Sequence, residues 1–316
     1  MRTLTLFKLD TLYREPMVIR GFEFGDHGGR RACAIVGSTR GNEVQQQYIC
    51  AQLVRRLSKL EGEGRVAPRK RVLVVPCVNP FSMNVGSRFW PQDKSDINRK
   101  FPGDARGGTT ERVAAGLFDA VKRYSIGIQL CSFYMPGDFE PNVRITRVGP
   151  VTDESLEMAA DFGLPYVVEK RPGPFDTTML NYNWQVWDTN AFSVYSRATD
   201  QVDQASADVV EDAILRFLAA NRVLDVPVGP AAPSRRIDEG DLVDVRTTKA
   251  AGFLAGRVRA SEHVEEGQVL AEVLDTLDTH VREQLVAPVS GTVFFARVDP
   301  LVQQETICFR IVPDGR

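Results

Sequence analysis

Two compact apolar runs stand out in the first third of the chain, Ala32–Gly37 (ACAIVG) and Arg71–Val78 (RVLVVPCV). Continuous β-branched stretches of this length suit strands buried on both faces of a parallel sheet, where neither set of side chains meets water. Between them, Val44, Tyr48, Ala51, Leu53, Val54 and Leu57 recur at helical spacing and predict an amphipathic helix over 43–60. A second helix is expected over 109–124, with Val113, Leu117, Ala120 and Val121 on one face. Shorter runs at 125–131, 143–146, 166–169 and 191–196 predict further strands, and helical patterns return at 153–162 and 204–221. Strands alternating with helices imply an α/β domain built on a mostly parallel sheet with helices on both faces.

The pattern changes at Val226–Arg236 (VPVGPAAPSRR), where three prolines and a glycine break both periodicities and read as a linker. Beyond it, short alternating strands are set off by Gly, Pro and charged turns, and no helical pattern exceeds one turn. That predicts a small all-β barrel or sandwich. The expected organisation is an α/β domain over 1–228, a linker over 229–236 and a β domain over 237–316. Charge divides in the same place, with 14 acidic and 8 basic residues after Arg236 against 27 and 31 before it.

Composition removes several function classes. With 43% hydrophobic and 25% charged residues, the chain is neither disordered nor a coiled coil. A formal net charge of −2 argues against nucleic acid and against membrane surfaces as partners. No apolar run approaches the ~18–20 residues of a membrane span, and the opening MRTLTLFKLDTLYREP lacks the apolar core of a signal peptide. Five cysteines, an odd number with no CxxC pair, fit reduced thiols in a cytosol. A cytoplasmic protein is expected. A homo-oligomer stays open, since an edge strand or the β domain can pair subunits, but no pattern requires one.

Candidate chemistry concentrates after the second apolar run. Asn79-Pro80 is followed by a long irregular connection, Arg88 to Gly103 (RFWPQDKSDINRKFPG), that carries Asp96, Asn98 and Arg99. Loops at the carboxyl ends of parallel strands hold the ligands of open α/β sheets. An Arg fork beside an Asn amide matches a planar carboxylate. The residues alone leave a simpler alternative, an Asp-capped surface loop with an ordinary Arg–Asp pair. Trp90, Trp184 and Trp187 line the pocket, form a subunit contact or simply pack.

The succession NP, then R, then DxNRxFPG resembles the succinylglutamate desuccinylase/aspartoacylase family, a branch of the zinc-carboxypeptidase-like hydrolases. The segment AIVGSTRGNEVQQQ has the shape of that family's HGxE metal loop, GIQLCSF lies where it has a DLH strand end, and the tail is similar to its lipoyl-type hybrid β domain. The resemblance covers nearly the whole chain. It implies a zinc-carboxypeptidase-like α/β domain followed by a barrel-sandwich hybrid. It also implies hydrolysis of the amide bond of a small N-acyl amino acid. One zinc is held by the His and Glu of HGxE and a later His, and a carboxylate serves as general base on the metal-bound water.

Residue by residue, the substrate half of that site carries over. Asn98 and Arg99 match the Asn-Arg pair that binds the substrate carboxylate, and Arg88 matches the upstream Arg. The metal half departs. Glu43 matches the Glu ligand, but Arg40 stands at the first His, Cys131 at the second, and Tyr195 at the general-base Glu. A guanidinium has no lone pair for a metal, Cys131 can serve as a thiolate, and a phenol is a poor base at neutral pH. None of the three histidines, His27, His263 and His280, repairs the set: His27 is expected in a solvated turn, the others on the β domain's surface. Two accounts of Arg40 remain, a cation in the former zinc position paired with Glu43, or a surface loop residue. Two functions remain with them. One is a hydrolase with an altered or lost zinc site, and the other a non-catalytic protein binding a small carboxylate through Arg88, Asn98 and Arg99.

Overall fold

The computed structural model describes residues 1–13, 15–149 and 151–315, and these divide into two compact units. The first comprises Met1–Ser132 and Asn142–Arg236; the second comprises Phe133–Pro141 and Ile237–Arg316. In chain order the first runs β1 (Arg2–Leu9), β2 (Met17–Gly25), β3 (Arg30–Ser38), α1 (Val44–Gly62), β4 (Lys70–Cys77), α2 (Pro80–Asn84), α3 (Thr109–Val121) and β5 (Ile126–Cys131). After β6 (Gly137–Phe139), which belongs to the second unit, follow β7 (Asn142–Thr146), α4 (Val151–Met158), β8 (Tyr166–Lys170), α5 (Leu180–Val186), β9 (Asn190–Tyr195) and α6 (Gln204–Ala220).

The large sheet has the order β1-β2-β4-β3-β5-β9-β7-β8, closing on β10 (Arg235–Asp238). Its centre, β4-β3-β5-β9, is parallel, while β1, β2 and β7 run antiparallel to their inner neighbours. One face packs Cys33 and Ile35, Val72 and Val74, and Ile128 and Leu130 against Ile49, Leu53 and Leu57 of α1 and Val210, Ile214 and Phe217 of α6. The other face packs Ala34, Val36, Leu73 and Val75 against Val113, Leu117 and Val121 of α3 and Trp184 of α5. The central strands were legible as apolar runs because both faces are covered.

Elements that were not anticipated include β1, β2 and α5. β1 and β2 are outer antiparallel strands, and partly exposed positions interrupt their apolar pattern. α5 is seven residues long, too short to display a helical period. Trp90 and Trp184 are core residues; Trp187 is exposed, with Lys122 over its ring at 5.0 Å.

The second unit continues with β11 (Val243–Arg246), β12 (Gly252–Gly256), β13 (His263–Val264), β14 (Val269–Leu274), β15 (Val281–Val286), β16 (Gly291–Arg297), β17 (Leu301–Val302) and β18 (Ile307–Pro313). They form two antiparallel layers, β11-β18-β16-β13 with β6 added on β16, and β15-β14-β12-β17. Val264, Leu270, Val273, Leu285, Val293, Phe309 and Ile311 fill the space between them. The excursion 133–141 joins this unit by placing Phe139 opposite Phe295, with Phe133 stacked on Phe139 at 3.6 Å. Among the described residues no helix is long and apolar enough to cross a membrane.

Candidate functional site

At one edge of the large sheet, β3, β4, β5 and β9 end at Ser38, Cys77, Cys131 and Tyr195, and β7 starts there with Asn142 opposite Tyr195. Strand alternation then puts two rows of side chains on the same face. Gln129, Ser193 and Arg144 lie side by side across β5, β9 and β7, and Cys131, Tyr195 and Asn142 form the next row. All six are buried. The alternate residues Ile128, Leu130, Phe192, Val194, Val143 and Ile145 belong to the apolar core of the opposite face. The Arg144 guanidinium lies over the Tyr195 ring at 5.1 Å.

The turn between β3 and α1 supplies Arg40 and Glu43. Ser38 Oγ donates to the Arg40 carbonyl at 2.6 Å, and the Glu43 N–H donates to the same carbonyl at 3.2 Å, tightening the turn. Gly41 allows it to press against the α2 turn, since a Cβ there would lie 2.2 Å from the Ser82 carbonyl carbon. Glu43 is fully buried, and five donors converge on its carboxylate. Oε2 accepts from the Thr39 and Arg40 backbone N–H groups at 2.8 and 2.9 Å and from Thr39 Oγ1; Oε1 accepts from Arg40 Nη1 at 2.9 Å and Ser132 Oγ at 2.6 Å.

The other side of the Arg40 guanidinium meets Asp96. Nε and Nη2 donate to Asp96 Oδ2 at 3.0 and 2.9 Å, while Asp96 Oδ1 caps the turn Ile97–Arg99 by accepting from the Asn98 N–H at 3.0 Å. Arg40 is 4% exposed, so the surface-loop account of it does not hold, and Asp96 is likewise buried. Burial alone would lower the Arg40 pKa, but the adjacent Glu43 and Asp96 carboxylates outweigh it and push it further up. One of the two readings of this connection from sequence was an Asp-capped surface loop with an ordinary Arg–Asp pair; the cap and the pair exist, but Asp96 is buried and its partner is Arg40.

Cys131 sits at the β5 end with its thiol pushed up to about 12, mainly by burial and further by the Glu43 charge. It stays protonated at neutral pH. Among the described residues, three groups able to ligate one ion come within 4.8 Å of one another at Asp275, Asp278 and His280, on an exposed hairpin of the second unit. Glu43, Asp96 and Cys131 make no such cluster. His27, expected in a solvated turn, bonds the buried Glu23 at 2.9 Å, and His263 and His280 pair with Asp314 and Asp278 at the surface.

Asn98 is buried; its Oδ1 accepts from Gln129 Nε2 at 2.9 Å, which ties the 79–103 connection to the polar rows. Arg99 points to a different neighbour, donating from Nη1 to the Phe175 carbonyl at 2.5 Å, with Asp176 at 3.8 Å. Arg88 is half-buried, with Nη1 3.4 Å from Asn42 Oδ1. The site thus gathers Arg40, Glu43, Asn98, Cys131 and Tyr195 at the strand ends, with Arg88 and Arg99 on the flanking loops. Ser132, Arg144 and Ser193 were missed. Their signal was there in part: polar residues two apart at the ends of otherwise apolar strands.

The sheet, its helices and the site at the strand ends define a zinc-carboxypeptidase-like hydrolase fold. Residues 30–220 match the succinylglutamate desuccinylase/aspartoacylase catalytic domain, and the chain belongs to that family of N-acyl amino acid deacylases. It is 24% identical over 258 residues, 76% of this chain and 70% of the relative, to the N-alpha-acetyl-L-2,4-diaminobutyric acid deacetylase of Halomonas elongata. A succinylglutamate desuccinylase/aspartoacylase from Rhodobacter sphaeroides has the same fold, with a TM-score of 0.78 at 19% identity over 96% of this chain and 91% of its own. The product-bound ectoine utilization protein EutE (DoeB) of Ruegeria pomeroyi gives 0.78 at 17% identity, over 94% and 89%.

Proposed function

We propose that this chain binds a small carboxylate-bearing molecule at its Arg99 end and does not carry out zinc-dependent deacylation. The observation that carries the reading is the Arg40 guanidinium, buried between Glu43 and Asp96 in the loop where the family holds its metal. It repels a dication and offers no lone pair. Of the family's donors only Glu43 is present, and five hydrogen bonds already occupy its oxygens. Even with Cys131 counted as a thiolate beside Glu43, two donors fall short of the three protein ligands of a catalytic zinc. At the general-base position Tyr195 presents a phenol where the chemistry asks for a carboxylate. Asn98 and Arg99 retain the carboxylate-binding pair. The unpaired cysteines favour a cytoplasmic setting.

Elemental analysis of dialysed, tag-free protein tests this directly. The expected result is well below one zinc per chain, with no amino acid released from N-acetyl or N-succinyl substrates even with zinc added. One zinc per chain, together with hydrolysis that Glu43→Ala abolishes, would overturn it. A restored donor set makes the converse test: Arg40→His, Cys131→His and Tyr195→Glu combined should raise bound zinc toward stoichiometry, read by metal content and not by turnover.

A further inference from the structure

Arg99 has donors to spare. Its side chain is 30% exposed, and among the described residues its one hydrogen bond is the Nη1 contact to the Phe175 carbonyl. That carbonyl belongs to a residue that is itself 78% exposed, in a molecule that buries most of its phenylalanines. The ring is not on a loose tail. Asp176 is buried, accepts from the Gly173 N–H at 2.7 Å and pairs with Lys170 at 2.9 Å; the Phe101 N–H donates to the Thr178 carbonyl at 3.0 Å. Pro172 and Pro174 stiffen the approach by fixing their own backbone φ angles.

Resting on the reading that a carboxylate binds at Arg99, we infer that the 171–179 segment is a wall of the same site and that Phe175 selects ligands with an apolar group beside the carboxylate. A planar carboxylate takes the open N–H edge of the guanidinium. Its neighbouring carbons then lie within a side chain's length of the Phe175 ring, because ring and anchored carbonyl belong to one residue. Covering ring and ligand together removes apolar surface from water, a gain proportional to the area covered. Asp176 acts as a positioning residue: it fastens the segment that holds both the carbonyl and the ring.

Isothermal titration calorimetry with two probes of equal charge, N-acetylglycine and N-acetylleucine, separates the claims. Wild type should bind N-acetylleucine roughly tenfold more tightly, the scale of partial burial of one aliphatic side chain. Phe175→Ala should erase that preference without weakening N-acetylglycine, Phe175→Leu should keep most of it, and Arg99→Ala should weaken both probes alike. Equal binding of the two probes by wild type, or a preference that survives Phe175→Ala, overturns the inference while leaving the carboxylate site standing. Failure of either probe to bind, with Arg99→Ala without effect, overturns the carboxylate reading and this inference together.

Discussion

Arg40 directs three N–H bonds at two carboxylates and is all but sealed from solvent, whereas Arg99 gives one N–H to a peptide carbonyl, sits 3.8 Å from Asp176 and remains 30% exposed. Both lie in loops flanking the same sheet edge. The difference follows from what surrounds each one. Two buried anions claim the Arg40 fork, and burial makes each pairing obligatory, because an unpartnered charge there is costly. Arg99 faces a carbonyl and a carboxylate already shared with Lys170 and the Gly173 N–H, so its planar edge stays open. One arginine is a structural cation and the other an available one.

The largest effect should come from removing the first. Arg40→Ala leaves Glu43 and Asp96 buried without their shared cation and should cost about 3–5 kcal/mol of unfolding free energy, measured by chemical denaturation. A loss below about 1 kcal/mol would mean that the two carboxylates do not depend on it. Ser132→Ala removes a 2.6 Å bond to the same buried carboxylate and should cost about 1.5–3 kcal/mol in the same experiment. Arg99→Ala should change stability by no more than about 0.5 kcal/mol, as expected of a partly exposed surface side chain, while weakening carboxylate binding. A destabilisation matching that of Arg40→Ala would erase the distinction between the two arginines.

Much of the frame was readable from residue order. Runs such as ACAIVG and RVLVVPCV announce strands covered on both faces, and the Pro-rich stretch before Arg236 marks where the pattern changes. The excursion 133–141 was not readable, because its three-residue strand finds its partner more than 150 residues later in β16. Asp96 was half readable: its capping of Ile97–Arg99 is local, but its bond to Arg40 spans 56 residues.

The sequence by itself determined which chemistries the site can support. Arg40, Cys131 and Tyr195 bring a guanidinium, a thiol and a phenol, and no packing changes what lone pairs those groups own. Only the tertiary structure decided where the charges go. It closed Arg40 between Glu43 and Asp96, and it turned Arg99 toward the 171–179 segment. Those pairings depend on how loops distant in the chain lie against one strand edge, and short-range periodicity carries no record of that.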